Sequence, residues 1–320
     1  MIKAAIAGGT GYTAGELLRI LVNHPEVEIT SVISSSSVGE PVWSVHKDLL
    51  GESEICFTDS PGDADVVFLC LGHGLSREFM SKTTLKEGCK VIDLGNDFRL
   101  DEKFDSKNFV YGLCELNKKE IEGAENIANP GCFATAIQLG ILPLLSNKVE
   151  LEDIHITALT GSTGAGKKPS ETTHFSYRDS NISIYKLFSH QHLGEINKTF
   201  NGLGANPKIH FVPVRGDFAR GIFASIYTKT DISQEEALKI YNDFYADSPF
   251  VFVSKSEISL KDVVNTNKCL LQVQKVGEIL HITSVIDNLI KGASGQAVQN
   301  MNLMFGLKED MGLRLKGSAF

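Results

Sequence analysis

A chain of 320 residues has room for two domains of ordinary size. With 42% hydrophobic and 22% charged residues, its composition excludes a disordered or fibrous chain. A net charge of −8 argues against a surface built to coat nucleic acid, and no apolar run approaches the roughly 18 residues that cross a bilayer, so neither is expected as a partner.

The N-terminus opens directly on a strand-like run, Lys3 to Ala7, and is expected to leave no room for a signal peptide. Helix spacing over Gly15–Asn23 and a strand-like Val27–Ile33 follow. Asp65–Leu71 reads as a buried parallel strand, Arg77–Lys86 as a helix and Lys90–Leu94 as another strand. This alternation predicts a parallel sheet covered by helices, a Rossmann-type domain. Between the first strand and the first helix lies Gly8-Gly9-Thr10-Gly11-Tyr12-Thr13-Ala14-Gly15, a variant of the dinucleotide fingerprint in its required context. Gly8, Thr10, Gly11, Tyr12 and Thr13 are therefore candidate cofactor contacts; the competing reading is a structural turn. Where an NAD-binding chain offers a carboxylate to the ribose, this one has Ser34, Ser35 and Ser37. Hydroxyls there donate to a 2′-phosphate without repelling it, which favours NADP(H) over NAD.

The next feature is Asn129-Pro130-Gly131-Cys132, followed by apolar residues at helical spacing from Phe133 to Leu142. The Pro-Gly turn stops what precedes it and places Cys132 at a helix N-terminus. Unpaired amides there bias a thiol toward thiolate and can hold an oxyanion; a buried structural cysteine is the alternative. A helix terminus contributes roughly 0.3–1 kcal/mol, less than one pKa unit, so an activated Cys132 needs an imidazole partner. The segment Ser189-His190-Gln191-His192-Leu193-Gly194-Glu195 is the candidate, with Glu195 able to orient His192 if a helix starts there. A metal site on His190, His192 and Glu195 lacks a further ligand set, and structural histidines also fit the pattern; no metal is expected. From about residue 151 to 285 the texture becomes β-rich, with strands expected at Asp153–Thr160, Ile209–Val214, Gly221–Thr228, Leu270–Val273 and Ile279–Val285. That predicts an α+β domain with a mainly antiparallel sheet, before a helical tail at Ser294–Gly306 returns to the first domain. Six cysteines without a CxxC pair point to a reducing, cytoplasmic compartment.

Taken in order, several motifs resemble those of the N-acetyl-gamma-glutamyl-phosphate reductases. They are Gly8-x-Thr10-Gly11-Tyr12-Thr13, Val91-Ile92-Asp93-Leu94 with Asp97-Phe98-Arg99-Leu100, and Tyr111-Gly112-Leu113 with Glu115-Leu116. Asn129-Pro130-Gly131-Cys132, His190-x-His192-x-x-Glu195 and Gly292-Ala293-x-Gly295-Gln296-Ala297-Val298-Gln299-Asn300 complete the set. The resemblance runs from residue 2 to about 306; aspartate-semialdehyde dehydrogenases are broader relatives. It implies an acyl-phosphate reductase that makes a semialdehyde with NADPH and releases inorganic phosphate, in arginine synthesis. Cys132 would be the nucleophile, His192 the acid/base and Glu195 its orienting group, with His190 close to substrate or cofactor. Arg99, Asn129, Ser162, Arg215 and Arg220 are candidate substrate contacts, although surface ion pairs would equally explain the arginines. Ser162 opens Ser162-Thr163-Gly164-Ala165-Gly166-Lys167, similar to the family's Ser-Gly-Ala-Gly loop by the nicotinamide, which adds Gly164 and Ala165 to the cofactor contacts. Asn288 and Gln296 could place amides near the cofactor ring or cap a helix.

The expected division is a dinucleotide domain over 1–132 completed by 290–320, and a catalytic and oligomerisation domain over 133–289, in a homodimer or homotetramer. Four positions depart from the family pattern: Gly194, Gly72 and Cys114 stand where prolines are usual, and the serine run has no Arg. Aspartate-semialdehyde dehydrogenase, an N-succinyl-glutamyl-phosphate reductase, a non-redox cysteine acyltransferase or hydrolase, and a silent NADP-binding sensor are the other readings.

Overall fold

The computed structural model describes residues 1–72 and 74–318. These divide into two compact units, Met1–Gly131 with Ala293–Arg314, and Cys132–Gly292 with the chain from Leu315 on.

The first unit holds strands β1 (Ile2–Ala7), β2 (Val27–Ile33), β3 (Phe57–Thr58), β4 (Val66–Leu69), β5 (Lys90–Asp93), β6 (Lys103–Phe104), β7 (Lys107–Tyr111) and β8 (Asn126–Ala128). They form one sheet in the order β3-β2-β1-β4-β5-β8-β7-β6, in which every described pair is parallel except the β6–β7 hairpin. Helices α1 (Tyr12–Leu21), α2 (Leu75–Lys82) and α3 (Cys114–Glu122) belong to it. Buried on both faces, β4 needs apolar residues at every position and has them: Val66, Val67, Phe68 and Leu69 are all inaccessible. The order reverses direction between β1 and β4, the place where open α/β sheets bind ligands. The first helix begins at Tyr12, ahead of the expected Gly15, because Gly11 in extended conformation serves as its N-cap. Its apolar face, Ala14, Leu17, Leu18 and Leu21, becomes periodic only after that first turn.

The second unit holds β9 (Ile154–Thr160), β10 (Ser183–Ile184), β11 (Ile209–Arg215), β12 (Ile222–Lys229), β13 (Val251–Val253), β14 (Cys269–Val276) and β15 (Ile279–Ile286). Their order is β10-β11-β9-β12-β15-β14-β13, mainly antiparallel, with parallel pairing at β11–β9 and β13–β14. Its helices are α4 (Cys132–Ser146), α5 (Phe175–Arg178), α6 (His192–Gly202) and α7 (Gln234–Phe244). Residues Phe133 to Leu145 of α4 are all buried, against β12, β15, α6 and α7, so the helix is buried all round and, apart from Thr135 and Gln138, built from apolar residues, glycine and proline. A Cβ on Gly140 would lie 2.9 Å from Ile226 Cδ1, which marks the closest approach of helix to sheet. The helix runs through Pro143, which has no N–H to offer the Leu139 carbonyl. The Tyr245 hydroxyl donates to that carbonyl at 2.5 Å, and Tyr241 donates to Gly140 beside it. The chain then forms a π-turn at Ile290–Ser294 and continues into α8 (Gly295–Met304), which packs on α1 and α3 of the first unit.

Candidate active site

In the first unit, the loop after β1 is shaped by its glycines. Gly8 has φ +79°, and a Cβ on it would lie 2.5 Å from the Cys70 carbonyl at the end of β4. Only glycine fits that crossing of the two strand ends. The N-terminal amides of α1 have no side-chain cap and no acidic residue in the first turn, which leaves them suited to an anion. Tyr12 is exposed, and the Thr13 carbonyl accepts from Ser294 Oγ at 2.8 Å. His46, which the sequence reading missed, bonds the Gly9 carbonyl through Nε2 at 2.7 Å and lies where a Cβ on Gly15 would stand. Ser34 is buried at the end of β2; with Ser35, Leu71, Leu75 and Phe79 it lines a cavity of about 430 Å³, beside which Ser37 continues the loop. A glycine cradle, uncapped helix amides and an apolar cavity with hydroxyls at its mouth fit a dinucleotide.

Also in this unit, Arg99 is buried and donates to the carbonyls of Asn129 (2.9 Å) and Leu94 (3.0 Å), which ties the ends of β5 and β8 together. The ion pair with Asp101 belongs to Arg77, at 2.7 Å. Asn129 donates through Nδ2 to Ala293 O and accepts from Asn300 Nδ2, both at 3.1 Å. Cys114 donates its thiol to Asn300 Oδ1 at 3.2 Å. Gln296 is buried on α8. Asp93 at the end of β5 is wholly buried; burial pushes its carboxyl up to about 6, against the hydrogen bonds from Ser76 Oγ and Gly95 N.

In the second unit, Cys132 is the first residue of α4 and is partly exposed. His192 is the first residue of α6, and Glu195 lies one turn on; both are buried, with Nε2 and Oε1 3.9 Å apart. The His192 backbone N–H donates to His190 Nδ1 at 3.2 Å, so the neutral His190 ring carries its proton on Nε2. Burial first, then the neighbouring His192 and Lys186, push His190 down to about 3. Phe133, next to the thiol, packs edge-on against both imidazoles, at 5.3 Å from His190 and 6.2 Å from His192. Tyr185, also missed, lies edge-on to His190 at 5.8 Å beneath the Arg215 guanidinium at 4.6 Å. Burial and then the nearby Cys132 sulfur raise its phenol above the usual range. Cys132, His190, His192 and Glu195 thus lie in one neighbourhood with Tyr185 and Arg215.

A second cluster surrounds Asp287. Arg220 grips the Asp287 carboxylate with Nε at 3.0 Å and Nη2 at 3.2 Å. Asn288 accepts from Gly221 N at 2.6 Å and donates to Thr163 Oγ1 at 3.1 Å, and so anchors the loop of Ser162, Gly164 and Ala165. Among the described residues, no three His, Cys, Asp or Glu side chains gather as metal ligands would.

Residues 3–124 match the family model of the semialdehyde dehydrogenase NAD binding domain, and residues 132–288 that of the semialdehyde dehydrogenase dimerisation domain. Proteins named N-acetyl-gamma-glutamyl-phosphate reductase from Christiangramia forsetii, Flavobacterium johnsoniae and Bacteroides thetaiotaomicron are 55%, 54% and 53% identical, covering 100% of both chains. The chain belongs to the N-acetyl-gamma-glutamyl-phosphate reductase family. Among solved structures, aspartate semialdehyde dehydrogenase II of Vibrio cholerae superimposes with a TM-score of 0.75 at 19% identity, over 96% of this chain and 98% of that one. The Candida albicans aspartate semialdehyde dehydrogenase gives 0.73 at 15%, over 95% and 99%. At such identities the likeness is one of fold. As a member of the reductase family, the chain uses a nicotinamide dinucleotide, and the Gly8–Gly15 loop falls in the segment matched to that domain. Among the described residues, no helix is long and apolar enough to cross a membrane.

Proposed function

We propose that this reductase converts N-acetyl-L-glutamyl 5-phosphate to N-acetyl-L-glutamate 5-semialdehyde and phosphate with NADPH, in cytoplasmic arginine synthesis. The observation that carries the reading is a partly exposed cysteine at a helix N-terminus whose neighbour Phe133 packs against both His190 and His192, with Glu195 one turn beyond the latter. Cys132 attacks the acyl carbon, the C–O bond to phosphate breaks, and a thioester forms. His192, aligned by Glu195, takes the thiol proton. When bound, the nicotinamide dinucleotide would supply the hydride that reduces the thioester. His192 returns the proton to the resulting oxyanion, and the thiohemiacetal gives aldehyde and free thiol as the C–S bond breaks. Helix amides at Cys132 hold the oxyanion at both tetrahedral stages. His190 offers its Nε2–H to a substrate oxygen. In the second unit, Arg215 and Arg220 receive the substrate's carboxylate and phosphate and Ser162 contacts it; in the first unit, Arg99 and Asn129 are the candidate substrate contacts. Gly164, Ala165, Asn288 and Gln296 serve the nicotinamide end, and Gly8, Thr10, Gly11, Tyr12 and Thr13 the pyrophosphate.

The division of labour follows the two units: a dinucleotide domain over 1–131 with 293–314, and a catalytic and oligomerisation domain over 132–292. The expected boundaries at 132 and 290 thus move by one and three residues, and the chain from Leu315 on goes with the second unit, 319 and 320 lying outside the described residues. Hydroxyls of Ser34, Ser35 and Ser37 favour NADP over NAD; Lys82 lines the same cavity, paired at 2.6 Å with Glu78, as does Asp59. Six free thiols support a reducing compartment. Assembly as a homodimer or homotetramer is supported by the face of the second sheet opposite α4. There the His155 ring stacks between His210 and Tyr227, with Tyr227 41% exposed, the kind of aromatic row that a second copy covers.

The test is spectrophotometric, in the aldehyde direction. N-acetylglutamate semialdehyde, its N-succinyl analogue and aspartate semialdehyde are each supplied with phosphate and either NADP or NAD. Phosphate-dependent NADPH formation from the N-acetyl substrate is expected; turnover of only another aldehyde, or none without redox, overturns the reading.

A further inference from the structure

We propose that Gly292 is a positioning residue for the Cys132 thiol, held in place by a π-turn that Asp287 closes with both its main chain and its side chain. The inference rests on the reading of Cys132 as the nucleophile.

Asp287 follows β15 and is wholly buried. Its Oδ1 accepts from the amides of Leu289 (2.8 Å) and Ile290 (3.1 Å), and its Oδ2 from that of Asn265 (2.8 Å). Arg220 binds both oxygens. The Asp287 carbonyl then accepts from Gly292 N, five residues on, at 2.9 Å. That is the i→i+5 bond of a π-turn, a rare element that inserts one residue into a helical turn. The turn sets Gly292 directly against the Cα and Cβ of Cys132. A Cβ on Gly292 would stand 2.8 Å from Cys132 Cβ and 3.2 Å from its Cα. Neither is the tip of a flexible side chain.

Relief by moving α4 is closed off, because Phe133 to Leu145 are packed on all sides. The strain of any side chain at 292 therefore falls on the turn or on Cys132 itself. Closing the turn at i+4 would shift the register by one and bring a residue with a side chain to the thiol. Asp287, through five hydrogen bonds to its carboxylate, holds the longer turn. Arg220 thereby acts on the nucleophile as well as being a candidate for the substrate's anion.

The experiment uses the full-length enzyme with Gly292→Ala, Asp287→Asn and Cys132→Ser. Each variant is assayed in the aldehyde direction. Iodoacetamide alkylation of residue 132 is followed against pH by peptide mass, and NADP binding and thermal unfolding are measured in parallel. For Gly292→Ala we expect kcat to fall about 100-fold, KM and NADP affinity to stay within about threefold, and the alkylation profile to slow and move. Asp287→Asn keeps one oxygen acceptor but weakens the turn, and a loss of about tenfold with the same shifted alkylation is expected. Gly292→Ala that folds and matches wild type in kcat and alkylation overturns the proposal. So does activity lost only in proportion to folded protein with an unmoved alkylation profile, as a mere packing role would give. If Gly292→Ala does not fold, Asp287→Asn decides by the same readouts. A Cys132→Ser enzyme that keeps its activity sinks the nucleophile reading itself; an inactive one beside wild-type-like Gly292→Ala sinks only the positioning role.

Discussion

Replacing Asp93 by Asn removes a carboxyl group that burial keeps protonated far into the weakly acid range. The carboxyl rises from 3.8 to about 6 because the folded chain excludes water from it on every side. That difference of about 2.2 units corresponds to about 3 kcal/mol at 1.36 kcal/mol per unit. The sign follows from which state binds the proton more tightly. Here it is the folded state, so the stabilisation from this group is complete below pH 3.8 and is lost as pH rises through about 6. Between pH 4.5 and 7 the change is about 2 kcal/mol. In the variant, Oδ1 can still accept from Ser76 and Gly95, while the amide replaces Oδ2, which has no hydrogen-bond partner. An unsatisfied buried amide costs about 1–3 kcal/mol at every pH, so the absolute stabilities are uninformative and their difference is not. Urea unfolding of both proteins across this range should show wild type losing about 2 kcal/mol relative to Asp93→Asn as pH rises. A difference that stays flat, or one that grows in wild type's favour, would refute the burial argument.

The two histidines should separate by pH profile. His190, pushed down to about 3, stays neutral throughout the working range, so His190→Asn should leave the acid limb of kcat/KM in place. His192→Asn should remove that limb and lower kcat about 10²- to 10⁴-fold. Gly8→Ala forces an L-residue to φ +79° against the Cys70 carbonyl. A strain of about 1–3 kcal/mol at the loop should weaken NADP binding tenfold or more by calorimetry, and unchanged affinity would remove the loop from the cofactor site. Arg220→Met leaves the Asp287 carboxylate buried without its cation, and urea unfolding should show a loss of about 3 kcal/mol that Arg220→Lys partly restores.

Strands β1, β2, β5, β9, β11, β12 and β15 lie close to where periodicity puts them, because a strand buried on one or both faces leaves its pattern in the residues themselves. The fingerprint loop was legible for a similar reason: its glycines answer steric demands within a few residues of themselves. Other elements left no such trace. The hairpin β6–β7 closes on Asp105 at φ +50°, in a stretch dominated by charge. Helix α7 is half exposed, with only Ala237 and Tyr241 buried, so its apolar stripe is too thin to stand out. In α4 the proline at 143 reads as a stop, yet the helix runs on because tyrosines about a hundred residues away take up the carbonyls of Leu139 and Gly140 one turn before it.

The same distinction governs the site. Cys132 and His192 are each the first residue of a helix, and such positions are written in the residues around them: a Pro-Gly turn before one and a Glu three residues after the other. The residues that place them carry no local mark. His46 reaches the fingerprint from 31 residues beyond Gly15, Tyr185 meets His190 from a stretch without periodicity, and Gly292 meets a cysteine that precedes it by most of the second unit. Arg178 is another such case, buried and donating to the carbonyls of Thr172, Asn181 and Arg215, where its composition alone reads as surface. A reactive group at a helix terminus follows from short-range backbone geometry, whereas its exact setting depends on contacts that only the folded topology brings together. It follows that substitutions in the legible motifs should remove chemistry outright, while those at Gly292 or Asp287 should leave binding intact and slow the step in which the thiol must already be in place.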